Sequence, residues 1–161
     1  MIPRLVKAAM TACLAAFALL VAFTNVTDYA GNAPFVRHVF SMDTTFHDPA
    51  VAYRAIDAPW VRTIGYLGII AGEALTGLLL ALAAVRMFAA RSASAEAFQR
   101  SKALVHLGVL AGFLVWFLGF MTIGGEWFLM WQSAAWNGQQ AAFRFYVTLL
   151  LVLIYLVQPE A

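Results

Sequence analysis

Glu73 stands in the middle of an apolar run from Val61 to Val85, and no other charge lies between Arg62 and Arg86. A carboxyl can bind a proton, hold a cation or accept hydrogen bonds, and inside hydrocarbon it is costly enough that a functional site is the default reading. On a helix its neighbours are Ile69, Ile70, Thr76 and Gly77. Beside them runs a stripe of Gly65, Gly68, Gly72 and Thr76, whose small side chains let a second helix approach closely. No Lys or Arg lies at matching depth in another apolar run, so an ion pair is not on offer. The partners available at that depth are Thr76, Thr148, Trp116 or a backbone carbonyl. An interhelical hydrogen-bonding role is therefore the first expectation, ahead of proton or ion passage and of contact with a partner subunit or ligand.

Three further groups carry chemistry-bearing side chains. Glu126 and Arg144 lie near the facing ends of two consecutive apolar runs joined by a short connection. A guanidinium about 7 Å inside a helix must snorkel or find a carboxylate, so the pair is expected to form a structural salt bridge. His38, Asp43, His47 and Asp48 share one short segment and are plausible ligand types for a divalent metal. They lack any recognised ligand spacing, however, and Asp48 before Pro49 looks like a helix cap, so no metal is expected. Ser41 has no nucleophile-elbow pattern around it. His106 sits at the opposite end of its run from His38 and His47, across ~30 Å of hydrocarbon, which precludes a bis-histidine haem within one chain. A packed or hydrogen-bonded histidine is expected there, and no cofactor is.

The elements that position these groups follow from hydropathy. Of 161 residues, 63% are hydrophobic and only 11% charged, with a mean hydropathy of +0.82. A soluble domain of this size could not bury so much apolar side chain. Four runs, Leu5–Phe23, Val61–Val85, Ala103–Ile123 and Gln139–Val157, each approach the ~20 residues a helix needs to cross a bilayer. Backbone groups in lipid must be satisfied within the segment, which makes these helices rather than strands. The expected fold is all-α: one domain over 1–161, an up-down bundle of four transmembrane helices, with short interfacial helices in the extracytoplasmic loops. Arg4 and Lys7 before Ala8–Phe23 also resemble a signal peptide, but the apolar run continues past Ala16-Phe17-Ala18, which favours a retained helix. The single Cys13 excludes an intramolecular disulfide and a cysteine-rich metal site.

Charge sets the orientation. Arg4, Lys7, Arg86, Arg91, Arg100 and Lys102 flank one side. Arg37, Arg54, Arg62 and Arg144 lie on the other, diluted by Asp28, Asp43, Asp48, Asp57 and Glu126. That bias puts both termini and the 86–102 loop in the cytoplasm. A net charge of +2 is too small for a nucleic-acid footprint.

The 24–60 segment is patterned. Asn32-Ala33-Pro34 reads as a cap with an early proline before Phe35, Val36, Val39 and Phe40; Asp48-Pro49 starts a second short helix; Asp57-Ala58-Pro59-Trp60 opens the second span. In the 124–138 connection, Gly124-Gly125 loosens the third span, and Trp127 and Trp131 fall four apart on one helical face. Trp60, Trp127, Trp131 and Trp136 thus gather at one interface, where they form either an aromatic belt or a surface for a partner protein or lipid.

Three strings in these connections carry a resemblance. Asn25-Val26-Thr27-Asp28-Tyr29, the run Phe35 to Phe46 ending in Ser41-Met42-Asp43-Thr44-Thr45-Phe46, and Gly124-Gly125-Glu126-Trp127-Phe128 through Gln139 are similar to a bacterial family of small integral membrane proteins, domain of unknown function 2165. The resemblance covers nearly the whole chain. It implies an inner-membrane bundle of four helices and carries no activity with it.

No nucleotide loop, catalytic set or redox ligand set is present, so the expected function is non-enzymatic: an accessory or assembly subunit docking onto a larger inner-membrane complex. The alternatives are a small proton, ion or solute transporter or channel built on Glu73, and a lipid- or quinone-binding module. The expected partners are the lipid bilayer and subunits of a larger complex or further copies of the chain, with no nucleic acid.

Overall fold

The computed structural model describes residues 1–159. Among them there is no strand, and four helices are long and apolar enough to cross a membrane. Helix α1 runs over Ile2–Thr27, with Pro3 in its first turn, where a missing N–H costs nothing. Helix α2 covers Tyr29–Ser41, α3 covers Pro59–Ala89, and the short α4 covers Ala95–Ser101. Helix α5 spans Ala103–Phe113 and continues without a break as a π-helix over Leu114–Trp127. Helix α6 spans Gln139–Leu156. At 18 residues, or ~27 Å, α6 barely crosses the hydrocarbon, whereas the 31 residues of α3, ~46 Å, project well beyond it.

The spans pack in a ring: α1 on α3, α3 on α5, the π-helix and α5 on α6, and α6 back on α1. Their core is Leu14, Ala15, Ala18, Leu80, Ala83, Met87, Val109, Trp116 and Leu149. Small residues set the closest approaches. Gly77 faces Leu19 of α1, Gly108 faces Leu80, and Gly112 sits against Leu149, Trp116 and Thr76.

One end of the bundle is tied by cations at the chain termini and α4. Arg4 donates to the carbonyls of Arg91 and Ala93 and lies over the Phe98 ring. Lys7, only 3% exposed, donates to the Gln158 carbonyl at the C-terminal end of α6, where the helix dipole favours a positive charge. Lys102 is equally buried and donates to Gln99.

The other end is a cap, and here several expectations are corrected. Asp28, not Asn32, caps α2, through the Gly31 N–H, and the Asn32 side chain bonds back to the Asp28 carbonyl. The predicted helix from Ala50 to Ile56 shrinks to a single 3₁₀ turn, Ala52–Arg54; Asp48 accepts from the Ala50 N–H two residues on, closing a local turn that competes with a helix. Trp127 and Trp131 do not share a helical face, because the chain reverses at Leu129, a left-handed residue with φ 54°. Gly124 and Gly125 do not loosen the span either. The π-helix runs through them, and their missing side chains admit Met130 and Gln139.

The cap is built from the two connections that carry the family-like strings. Phe40 stacks on Phe128 at 4.7 Å, and Val39, Met42, Phe128 and Met130 form a second small core. The Thr44 hydroxyl donates to Ser133 Oγ at 2.8 Å, and the Phe46 N–H donates to Gln132 Oε1 at 2.9 Å. Arg54 donates to the carbonyls of Glu126 and Trp127, the last acceptors of the π-helix.

Candidate functional site

Glu73 is 2% exposed and faces the last turn of α1. The partner that meets it is Asn25, whose Nδ2 donates to Glu73 Oε2 at 2.8 Å. Tyr66, about two turns earlier on α3, donates its hydroxyl to the Asn25 backbone carbonyl at 2.9 Å and lies 3.4 Å from Asn25 Oδ1. The Tyr29 ring meets that of Tyr66 edge-on at 5.0 Å. These contacts make a polar chain, Tyr66–Asn25–Glu73, across the α1–α3 contact, where satisfying each group in place of water is the condition for burying any of them.

The chain borders a cavity of ≈ 250 Å³. Asn25 of α1, Asn32 and Phe35 of α2, Tyr66 and Glu73 of α3, Trp116 and Phe120 of the π-helix and Phe145 of α6 line it. It lies beside the end of α1, with walls from α1, α2, α3, the π-helix and α6. At ~30 Å³ per water the cavity has room for roughly eight waters, or for one ring-sized group. Among the described residues no Lys, Arg or His lines it.

The structure distributes the remaining predicted residues as follows. Thr76 is fully buried and donates to the Gly72 carbonyl one turn earlier in its own helix, not to Glu73. Thr148 is exposed and bonds the Arg144 carbonyl. His106 is exposed on the outside of α5, contrary to the expectation of a packed or hydrogen-bonded histidine. Trp116 is 1% exposed and forms the cavity wall with Phe145, edge-on at 5.4 Å.

Among the described residues no ion pair joins Glu126 to Arg144; both side chains are exposed. An i→i+5 ladder turns less per residue than an α-helix, so a side chain late in the π-helix faces away from where a 3.6-residue period would aim it. Gln139 packs over Gly125 at the start of α6, and Arg144 stands about 7.5 Å further along.

The His38, Asp43, His47 and Asp48 group does not close around a metal. Among the described residues no three His, Cys, Asp or Glu side chains come together as a metal cluster. His38 pairs with Asp43 at 2.8 Å and stacks on Trp136 at 4.5 Å, while His47 and Asp48 are exposed. Trp136 is thereby absorbed into the cap. Trp60, Trp127 and Trp131 remain exposed at 68%, 48% and 50%. Trp127 meets Tyr53 and Trp131 meets Phe46, both edge-on.

Asn25, Asn32 and Tyr66 escaped the sequence reading, as did the buried Lys7 and Lys102. For Asn25 a signal was present: an amide within helical reach of the first span's end, on the chain that packs against the one buried acid.

A family model described as a predicted small integral membrane protein, domain of unknown function 2165, matches residues 3–159. No curated protein and no solved structure matches the chain.

Proposed function

The chain belongs to the family of predicted small integral membrane proteins called domain of unknown function 2165, and we propose that it performs no chemistry of its own and acts as an accessory or assembly subunit docking onto a larger complex of the bacterial inner membrane. The observation that supports this reading is the cap. Two separate connections are locked to each other by the Thr44–Ser133 and Phe46–Gln132 hydrogen bonds, and the rigid surface so formed carries Phe46, Tyr53, Trp127 and Trp131 outward. Aromatic side chains held at low entropy cost are what docking surfaces use as anchors. The basic end supports the orientation: Arg4, Lys7 and Lys102 converge where both termini lie, and that end belongs in the cytoplasm by the excess of Lys and Arg. The cap then faces outward.

The transport alternative has less support. Toward the basic end from Glu73 the ring is packed with Leu80, Ala83 and Met87, all at 0% exposure, and the buried hydroxyls of Thr76 and Thr11 are each bonded to a carbonyl of their own helix, which leaves little for an ion to follow within one copy.

A photo-crosslinking residue at Trp131, compared with one at the exposed Leu82 on the α3 shaft, tests the docking reading in cells. The expected result is an adduct to one distinct membrane subunit at position 131 only, lost when Trp127 is replaced by Ala. Adducts solely to a second copy of the chain, or to lipid at both positions, would overturn it.

A further inference from the structure

We propose that the cavity beside Glu73 binds a neutral, membrane-soluble molecule of the quinone class, with its oxygen-bearing ring against Glu73 and its apolar tail leaving to the bilayer between α3 and the π-helix. The polar end is half used. Asn25 occupies Glu73 Oε2, and among the described residues nothing hydrogen-bonds to Oε1, although the side chain is 2% exposed and lines the cavity. A carboxyl there can accept from a ring hydroxyl or, carrying its proton, donate to a ring carbonyl.

The walls are suited to a flat ring. Phe35 and Phe120 stack at 5.7 Å on one side, and Trp116 and Phe145 meet edge-on at 5.4 Å on another. Such faces pair with a further ring in offset or edge-on geometry.

The way in is apolar. A second void of ≈ 190 Å³ shares Phe35, Val36, Ile69 and Phe120 with the first and is lined throughout by apolar side chains and glycines. It shares Gly65, Ile69 and Gly119 in turn with a groove on the outer surface between α3 and the π-helix. At Gly68 in that groove a side chain would meet nothing within 4 Å. The three spaces share walls from the surface to Glu73. Apolar walls penalise the passage of a charged head, and among the described residues no Lys, Arg or His lines the cavity to pair with an anion.

The proposal does not rest on the docking reading, since it concerns the purified chain with no other subunit present. The test uses the full chain in phospholipid nanodiscs, titrated with decylubiquinone alone and then in competition with decylbenzene, which has the tail and ring without oxygens. Tryptophan fluorescence is read in the unmodified chain and in Trp116→Phe. A saturable quenching component is expected with decylubiquinone, absent from Trp116→Phe, with decylbenzene at least about tenfold weaker, the equivalent of one hydrogen bond of ~1.4 kcal/mol. Glu73→Leu is expected to weaken the quinone by a similar factor. Gly68→Phe, whose ring enters open groove and leaves the packing intact, is expected to slow quenching severalfold. No saturable component, equal affinity for decylbenzene, or unchanged quenching in both Glu73→Leu and Gly68→Phe would overturn the assignment.

Discussion

The Asn25–Glu73 hydrogen bond joins two helices at the wall of the cavity, with Glu73 almost wholly withdrawn from the surface. Replacing Asn25 by Ala strands Glu73 Oε2 and withdraws Asn25 Oδ1 from Tyr66, while the Tyr66 hydroxyl keeps its stronger bond to the Asn25 backbone carbonyl. The loss is therefore expected to fall on the Glu73 contact. A double-mutant cycle of Asn25→Ala with Glu73→Ala, read by reversible unfolding in detergent, is expected to give a coupling of about 0.5–2 kcal/mol, the range for interhelical polar pairs in membranes. Additivity within ~0.3 kcal/mol would mean that the contact contributes nothing to holding α1 on α3. Glu73 itself was legible from the sequence, because one carboxyl in a long apolar run cannot be mistaken for surface. Its partner was signalled only by an amide just past the end of the first apolar run. Thr24-Asn25-Val26-Thr27-Asp28 is polar enough to look like the start of a loop, and composition alone cannot register that the helix continues because Asn25 is satisfied across the interface. The Glu126–Arg144 pairing failed for a complementary reason: sequence proximity at two helix ends says nothing of which way each side chain turns.

At the scale of elements, the glycines divide into those that are crowded and those that are open, and the difference is measurable. A Cβ on Gly77 would stand within 3.0 Å of Leu19, including its backbone N, so the two helices would have to separate. Gly77→Ala is expected to cost about 1–3 kcal/mol by overpacking. Gly68→Ala meets nothing and removes backbone freedom from a helix interior, so it is expected to be neutral or stabilising by up to ~1 kcal/mol. Unfolding of the two variants side by side checks the pair; equal destabilisation would mean that the α1–α3 contact is looser than the structure has it. The small-residue stripe was visible in the sequence, but its use was not: Gly72 admits Val115, Gly65 admits Phe40, and Gly68 is left facing open space. Four spans were equally visible, because hydropathy over ~20 residues is a strong signal. The π-helix was invisible, since its i→i+5 bonds, continued by Phe128 N–H to the Ile123 carbonyl at 3.0 Å, alter the facing of side chains without altering composition. In the 24–60 segment, capping residues were abundant enough that several starts looked equally good, and packing against α3 and the π-helix decided between them.

For the whole molecule, four candidate spans put the two ends of the described chain on one side, and the convergence of Arg4, Lys7 and Lys102 there supports the proposal, through the positive-inside rule, that this side is the cytoplasm. The asymmetry of the molecule then has a consistent sense. The basic end is closed and tied to chain ends, while the cap, the cavity under it and the exposed tryptophans belong to the opposite half, which the proposed orientation turns outward. The single cysteine makes this directly testable. Cys13 is exposed on the α1 shaft and is removed by Cys13→Ser; new thiols are then placed at Ser92, in the exposed loop before α4, and at Ala135, exposed in the cap. In intact cells stripped of the outer membrane, an impermeant maleimide is expected to label Ala135→Cys and to leave Ser92→Cys unlabelled until the membrane is opened. The reverse pattern would turn the cap toward the cytoplasm. A partner for the aromatic rim would then be sought among cytoplasm-facing subunits, while the cavity and its route from the bilayer, which depend only on helix packing, would keep their assignment.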